Sequence, residues 1–263
     1  MLGSRSGPEW YDKKHMLLSD TTESRPDRRK EISPPRLIEP WIHYNFPGRG
    51  DKYSTLKRHW EHFNGTDWDQ RGQTKAIFKI IDPPENKRDS RPEVSSTDTI
   101  RKGWADDVDS ENGNADYLMF SNIDYSHSDV RKDVLNWGKW MVSDEVGVDG
   151  FRLDAVQHYS SRFTHEWIES TMREGKRKAK NILVVGEFWV GDVDKLRQWL
   201  SDTDYLASLF DVPLVHTFSK ISNAWEQARE MVGRGGRLGV RGIELNKVFE
   251  KALVSIAPDN AMV

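Results

Sequence analysis

Gly147-Val148-Asp149-Gly150-Phe151-Arg152-Leu153-Asp154-Ala155-Val156 is the stretch whose reading decides the fold. Val148, Phe151, Leu153 and Val156 are apolar, and glycines sit at its entry, as in a buried strand. Two ionisable groups lie near its end. Arg152 and Asp154 are two residues apart, so on a strand they share a face. Ionised groups at the end of an apolar strand are costly unless that end opens into a site. An arginine beside an aspartate keeps it ionised, as a nucleophile requires. The same pair could instead be a buried ion pair that only holds a loop.

A second stretch, Asn181-Ile182-Leu183-Val184-Val185-Gly186-Glu187-Phe188-Trp189, is another apolar run closed by a carboxylate. The segment from Ser160 to Lys180 between them is long enough for a helix. Strand, helix, strand predicts parallel strands, whose C-terminal ends gather the catalytic groups of α/β folds. Two carboxylates facing one cleft are the apparatus of glycoside hydrolysis: one attacks, the other protonates the leaving oxygen. Phe188 and Trp189 give Glu187 an apolar neighbourhood, which raises a carboxyl pKa and suits a general acid.

FRLDAVQH (Phe151 to His158) and VVGEFW (Val184 to Trp189), in that order and spacing, resemble the second and third signature regions of the α-amylase family, glycoside hydrolase family 13. The resemblance runs from about Glu31 to Pro213. YNFPGRGDKYS (Tyr44 to Ser54) and HWEHFNGTDWD (His59 to Asp69) resemble the B domain of the liquefying-type members. NGNADYLMFSNIDYSHSDV (Asn112 to Val130) and SLFDVPL (Ser208 to Leu214) match the same subfamily.

The resemblance implies a retaining glycosidase acting on α-1,4-glucans. Asp154 would be the nucleophile, Glu187 the acid/base, and Arg152 the group that keeps Asp154 charged. His158 and Trp189 would line the glucan subsites with Gln157, which stands where a lysine is common. Asp116, Asn122, Asp124 and the backbone carbonyl of His158 would hold a structural calcium. Asn122 stands where an aspartate is common, which removes one negative charge and lowers the expected affinity.

The rest of the chain sets the frame. Its 263 residues include 31% charged and 36% hydrophobic, and the net charge is −3. That balance gives no reason to propose nucleic acid as a partner. No cysteine is present, which excludes disulfides and thiolate metal sites. No apolar run reaches membrane-spanning length, and the first residues have no apolar signal core. A cytoplasmic monomer is the expectation. The 11 tryptophans suit core packing, but indoles also stack on sugar faces.

Residues 1–35 read as irregular. Residues 36–115 read as a β-containing, B-domain-like insertion, with strands over Leu37 to Phe46 and Ala76 to Ile81. Within it a helix is expected over Tyr53 to Phe63, a turn at Asn64-Gly65, and loop from Asp82 to Thr99. Residues 116–263 read as part of a (β/α)₈ barrel, about strands 4–6 with their helices. A helix over Val130 to Val146 should bury Val130, Val134, Trp137 and Met141, and Gly147 should stop it. The next helix should bury Phe163, Trp167 and Thr171. After Glu187 come a short helix over Val193 to Leu200 and a strand over Leu206 to Leu214 ended by Pro213. Helices over Phe218 to Met231 and Ile243 to Leu253 follow. Three strands are short of eight, and the resemblance places another family signature on each side, so the chain reads as a central fragment. A non-catalytic, glucan-binding remnant is the alternative from another class, and α-glucan transglycosylation is a lesser variant of the first reading.

Overall fold

A computed structural model describes residues 12–16, 38–42, 56–81, 103–233, 248–250 and 252–262. The chain divides into two compact units: Met1–Trp140 with Gln157–Phe163, and Met141–Val156 with Thr164–Val263.

The first unit is built on an antiparallel sheet. Its strands are β1 (Asp12–Met16), β2 (Phe63–Asp69), β3 (Thr74–Ile81) and β4 (Asn122–Ile123), in the order β1-β3-β2-β4. Strand β1 is the one described part of residues 1–35, which read as mostly irregular. It pairs with β3 from Asp12↔Ile81 to Met16↔Ile77. A polar DKKHM segment carries no apolar alternation, so this strand exists through backbone pairing rather than through local pattern. The helix expected over Tyr53 to Phe63 is, in its described part, one 3-10 turn at Trp60–His62. The turn expected at Asn64-Gly65 is the interior of β2. The glycine there serves packing: a Cβ would stand 2.6 Å from the Trp104 ring. Residues 38–42 form no strand, and the loop expected from Asp82 to Thr99 lies outside the described residues. Strand β3 meets its expectation, burying Ala76, Ile77, Phe78 and Ile80.

Helix α1 (Ser128–Val142) buries Val130 and Val142. Trp137, expected inward, is instead 49% exposed. Gly147, at φ +81, makes the turn after the helix, a conformation glycine adopts without strain.

The second unit is α/β. Strand β5 (Gly150–Leu153) leads through α2 (Ser161–Arg177) to β6 (Leu183–Gly186). Helix α3 (Val193–Asp202), capped by the Asp192 side chain on the Asp194 N–H at 3.0 Å, leads to β7 (Ser208–Phe210). Helix α4 (Val212–Gly233) follows, and β8 (Ala261–Met262) closes the described chain. The sheet is parallel throughout, in the order β5-β6-β7-β8. It is open, and no closed barrel forms among the described residues. The expected inward residues of α2 are buried, and Trp167 meets Phe151 edge-on at 5.0 Å.

Three departures concern the C-terminal part. Helix α4 starts at Val212, not Phe218, because Pro213 sits in its first turn, where a missing N–H costs nothing. The buried Asp211 carboxylate accepts the Leu214 N–H at 3.0 Å and the Val254 N–H at 2.8 Å. The helix expected over Ile243 to Leu253 is described only at its end, which is a turn running into a 3-10 segment, Leu253–Ser255. Ala261–Met262 pairs with Leu209 and Phe210 as a fourth parallel strand that the sequence reading did not include.

Candidate active site

Strands β5 and β6 pair with Gly150 opposite Leu183 and Leu153 opposite Gly186. Asp154 and Glu187 are the next residues on each strand, so the register alone brings them side by side. Backbone bonds fix that end: the Glu187 N–H donates to the Leu153 carbonyl at 2.8 Å, and the Val156 N–H to the Glu187 carbonyl at 3.0 Å. Ala155 between them has φ +50, a left-handed conformation uncommon for a residue with a Cβ. The chain thus turns sharply just past Asp154.

Arg152 Nη2 lies 2.5 Å from Glu187 Oε2 and 3.2 Å from Asp154 Oδ1. The two oxygens share one nitrogen, so they are no farther apart than the sum of those distances. That bound is compatible with the ~5–5.5 Å separation of retaining carboxyl pairs. Sequence reading paired Arg152 with Asp154; the guanidinium in fact contacts both. The side chains are 54% exposed for Arg152, 77% for Asp154 and 24% for Glu187, so this end of the sheet is open to solvent.

The residues around Glu187 diverge. Phe188 is buried in the unit, and Trp189 is 56% exposed. The Trp189 indole lies edge-on to His216 of α4, ring centroids 6.4 Å apart. His216 was missed by sequence reasoning. It reaches Trp189 through the packing of α4, which no local pattern announces.

Gly186 sets the seat of Glu187. A Cβ there would stand 2.9 Å from Leu209 Cδ2, 3.1 Å from the Trp199 ring and 3.2 Å from Val156 Cγ1. Gly186→Ala is expected to destabilise the second unit by about 1–3 kcal/mol through overpacking. The check is the urea midpoint, which should fall; an unchanged midpoint would mean the neighbours absorb a methyl freely.

Gln157 and His158 fall in the first unit. The buried His158 has Nδ1 2.7 Å from the Ala115 carbonyl oxygen, to which it donates. Gln157 Oε1 is buried with no hydrogen-bond partner among the described residues. Just beyond, the Asp107 carboxylate accepts from Ser160 Oγ at 2.6 Å, the Arg162 N–H at 3.0 Å and Arg162 Nε at 3.1 Å. Burial works against that charge, but the bonds from Ser160 and Arg162 outweigh it and hold the carboxyl below its ordinary value. A depressed folded value contributes stability above the unfolded ~3.9 that is lost as pH falls through the folded one. The acid limb of the unfolding profile should therefore flatten in Asp107→Asn, read as the urea midpoint below about pH 4; an identical acid limb would contradict the anchoring role.

Two groups invite a metal. Asp116, Asn122 and Asp124 were expected to hold calcium with the His158 carbonyl. Asp116 Oδ2 accepts from Asn64 Nδ2 at 2.8 Å and from the Ala105 N–H, and Oδ1 accepts from Asn122 Nδ2 at 2.9 Å. Burial pushes the Asp116 carboxyl up to about 7, against these donors, and the Asp124 charge adds to the rise. Asp124 Oδ1 accepts from the Ser126 N–H and hydroxyl. N–H donors engage both oxygens of Asp116, so the residues as arranged do not fit a divalent cation. The second group, His62, His127 and Asp129, has one possible ligand atom from each within 4.8 Å of the others. Its polarity is wrong. Nδ1 of His62 and Nδ1 of His127 accept N–H bonds, from His59 at 3.0 Å and Asp129 at 3.3 Å. A histidine that binds metal through Nε2 presents Nδ1–H as a donor.

Comparison with known proteins bears on the whole assembly. Residues 55–234 match the sequence model of the α-amylase catalytic domain. The α-amylase of Bacillus licheniformis is 36% identical over 236 residues, 90% of this chain and 39% of that protein. The glucan 1,4-alpha-maltohexaosidase of Bacillus sp. (strain 707) is 36% identical over 237 residues, with the same coverage of each. The cytoplasmic α-amylase of Escherichia coli (strain K12) is 32% identical over 224 residues, 85% of this chain and 38% of the relative. The chain spans about two fifths of the length of these relatives. With the match covering more than half of its residues, the chain belongs to the α-amylase catalytic-domain family, whose members are glycosidases.

Proposed function

We propose that the protein is a retaining glycosidase that cleaves internal α-1,4 bonds of starch and glycogen. The observation that carries this is one arginine nitrogen in reach of both Asp154 and Glu187 at adjacent parallel strand ends. In this reading Asp154 attacks the anomeric carbon and the bond to the leaving oxygen breaks. Glu187 gives that oxygen its proton, then takes a proton from the water that attacks the same carbon and frees Asp154. Arg152 offsets the charge of the pair through both steps. Trp189 offers its exposed indole to a glucose ring, and Gln157 and His158 of the first unit are expected, from the resemblance alone, to contact glucan.

The four parallel strands are read as consecutive strands of a (β/α)₈ barrel, within residues 116–263, after a B-domain-like insertion at 36–115. No calcium is assigned to Asp116, Asn122, Asp124 and His158 in this reading, because N–H donors already engage both Asp116 oxygens. A cytoplasmic monomer is part of the same reading, and among the described residues no helix is long and apolar enough to cross a membrane.

The test is incubation with soluble starch, glycogen and a β-1,4-glucan, following reducing ends and the anomer first released. Slow cleavage of the α-glucans alone, with the α-anomer released first, is expected. Cleavage of the β-glucan, or first release of the β-anomer, would overturn the reading.

A further inference from the structure

Asn122, Asn64 and Asp116 form a small knot beside β4, with Asp116 2% exposed and Asn64 equally buried. Three oxygens converge on one atom. Asn122 Nδ2 lies 2.8 Å from Asn64 Oδ1, 2.9 Å from the Asp116 carbonyl oxygen and 2.9 Å from Asp116 Oδ1. Oxygens gathered around one electropositive point are what a hard cation receives. Here the point is an amide nitrogen. It has two protons for three acceptors, and its partial positive charge is delivered by the chain itself.

The spacing separates the two occupants. Calcium draws its oxygens to about 2.3–2.6 Å, whereas N–H···O contacts settle near ~2.9 Å. The knot has the second spacing at all three oxygens. The other face of Asp116 is closed as well, by Asn64 Nδ2 and the Ala105 N–H. A cation entering here would have to displace Asn122 Nδ2 and break its three bonds to the converging oxygens.

We propose that the Asn122 side-chain amide takes the place of a divalent cation in this chain, so that the knot is closed by amides and holds without metal. The inference rests on the geometry of the first unit and not on the glycosidase reading. It also names the change that would restore a metal. Asn122→Asp removes the donor and sets a second carboxylate against Asp116, with Asp124 nearby in sequence. That trio repels itself until a cation arrives.

The experiment uses the full chain and calcium alone. Thermal melts in EDTA and in millimolar calcium, with calorimetric titration, are recorded for the wild type, Asn122→Asp and Asn64→Asp. The wild type is expected to show the same midpoint in both buffers and no saturable heat. Asn122→Asp is expected to melt lower in EDTA, to recover in calcium, and to show the saturable calcium binding that the wild type lacks. If Asn122→Asp folds in neither buffer, Asn64→Asp carries the same expectation. Saturable calcium binding by the wild type, a calcium-raised wild-type midpoint, or a folded aspartate variant that gains no calcium affinity would each overturn the proposal.

Discussion

Asp154→Asn is expected to abolish formation of the glycosyl intermediate, with a loss on the order of 10⁴-fold or more, as for deletion of other enzymatic nucleophiles. The amide is isosteric and keeps the fold, but it cannot attack an anomeric carbon and leaves Arg152 with one carboxylate partner. Glu187→Gln has a different profile. On starch the leaving group is a sugar alkoxide that needs a proton, and loss of the acid costs ~10²–10⁴-fold. On an α-glycosyl fluoride the leaving group departs unaided, so the first step should be nearly unchanged. The contrast is read as reducing ends from starch against fluoride release. An Asp154→Asn variant within tenfold of the parent on fluoride release would remove Asp154 from the nucleophile's role. Equal losses on both substrates in Glu187→Gln would remove Glu187 from the acid's role.

The second large effect concerns the 263-residue chain on its own. Among the described residues its parallel sheet has edges at β5 and β8, and its strands are two to four residues long. Parallel sheets are stable when both faces are covered. Here Leu183 of β6 is 53% exposed, and Trp189, Phe218, Trp225 and Phe249 are also exposed. Each large apolar side chain left in water forgoes about 1.5–3 kcal/mol. A few of them equal a large share of the ~5–15 kcal/mol that holds an ordinary domain. The chain is therefore expected to melt broadly and below the ~45–65 °C of mesophile domains, with little starch turnover. Circular dichroism against temperature, beside a starch assay, checks this. A sharp transition above about 65 °C with steady turnover would show that the open sheet suffices.

The sequence made the strand–helix–strand core legible because its signals are local. Apolar runs marked β5 and β6, the 3.6 period marked α2 and α3, and the charged residue after each run marked Asp154 and Glu187. What stayed hidden depends on partners distant in the chain. Strand β1 is a polar segment that exists by pairing with β3. Strand β8 is two residues that pair with β7. Gly65 looks like a turn until Trp104 is set against it. Pro213 looks like a strand terminator until Asp211 caps the helix it opens. Asn122 showed a lost charge, but not that its nitrogen faces three oxygens. His216 reaches Trp189 only through tertiary packing.

Covalent trapping tests the central claim most directly, because one event per molecule is enough even for a slow chain. The protein is incubated at low temperature with a fluorinated α-glycosyl fluoride that forms the intermediate but hydrolyses slowly, and the adduct is mapped by peptide mass spectrometry. The account predicts one glycosyl group per chain, on Asp154, formed also by Glu187→Gln and absent from Asp154→Asn. A glycosyl group on any other residue, or none under conditions in which the chain releases reducing ends from starch, would contradict it.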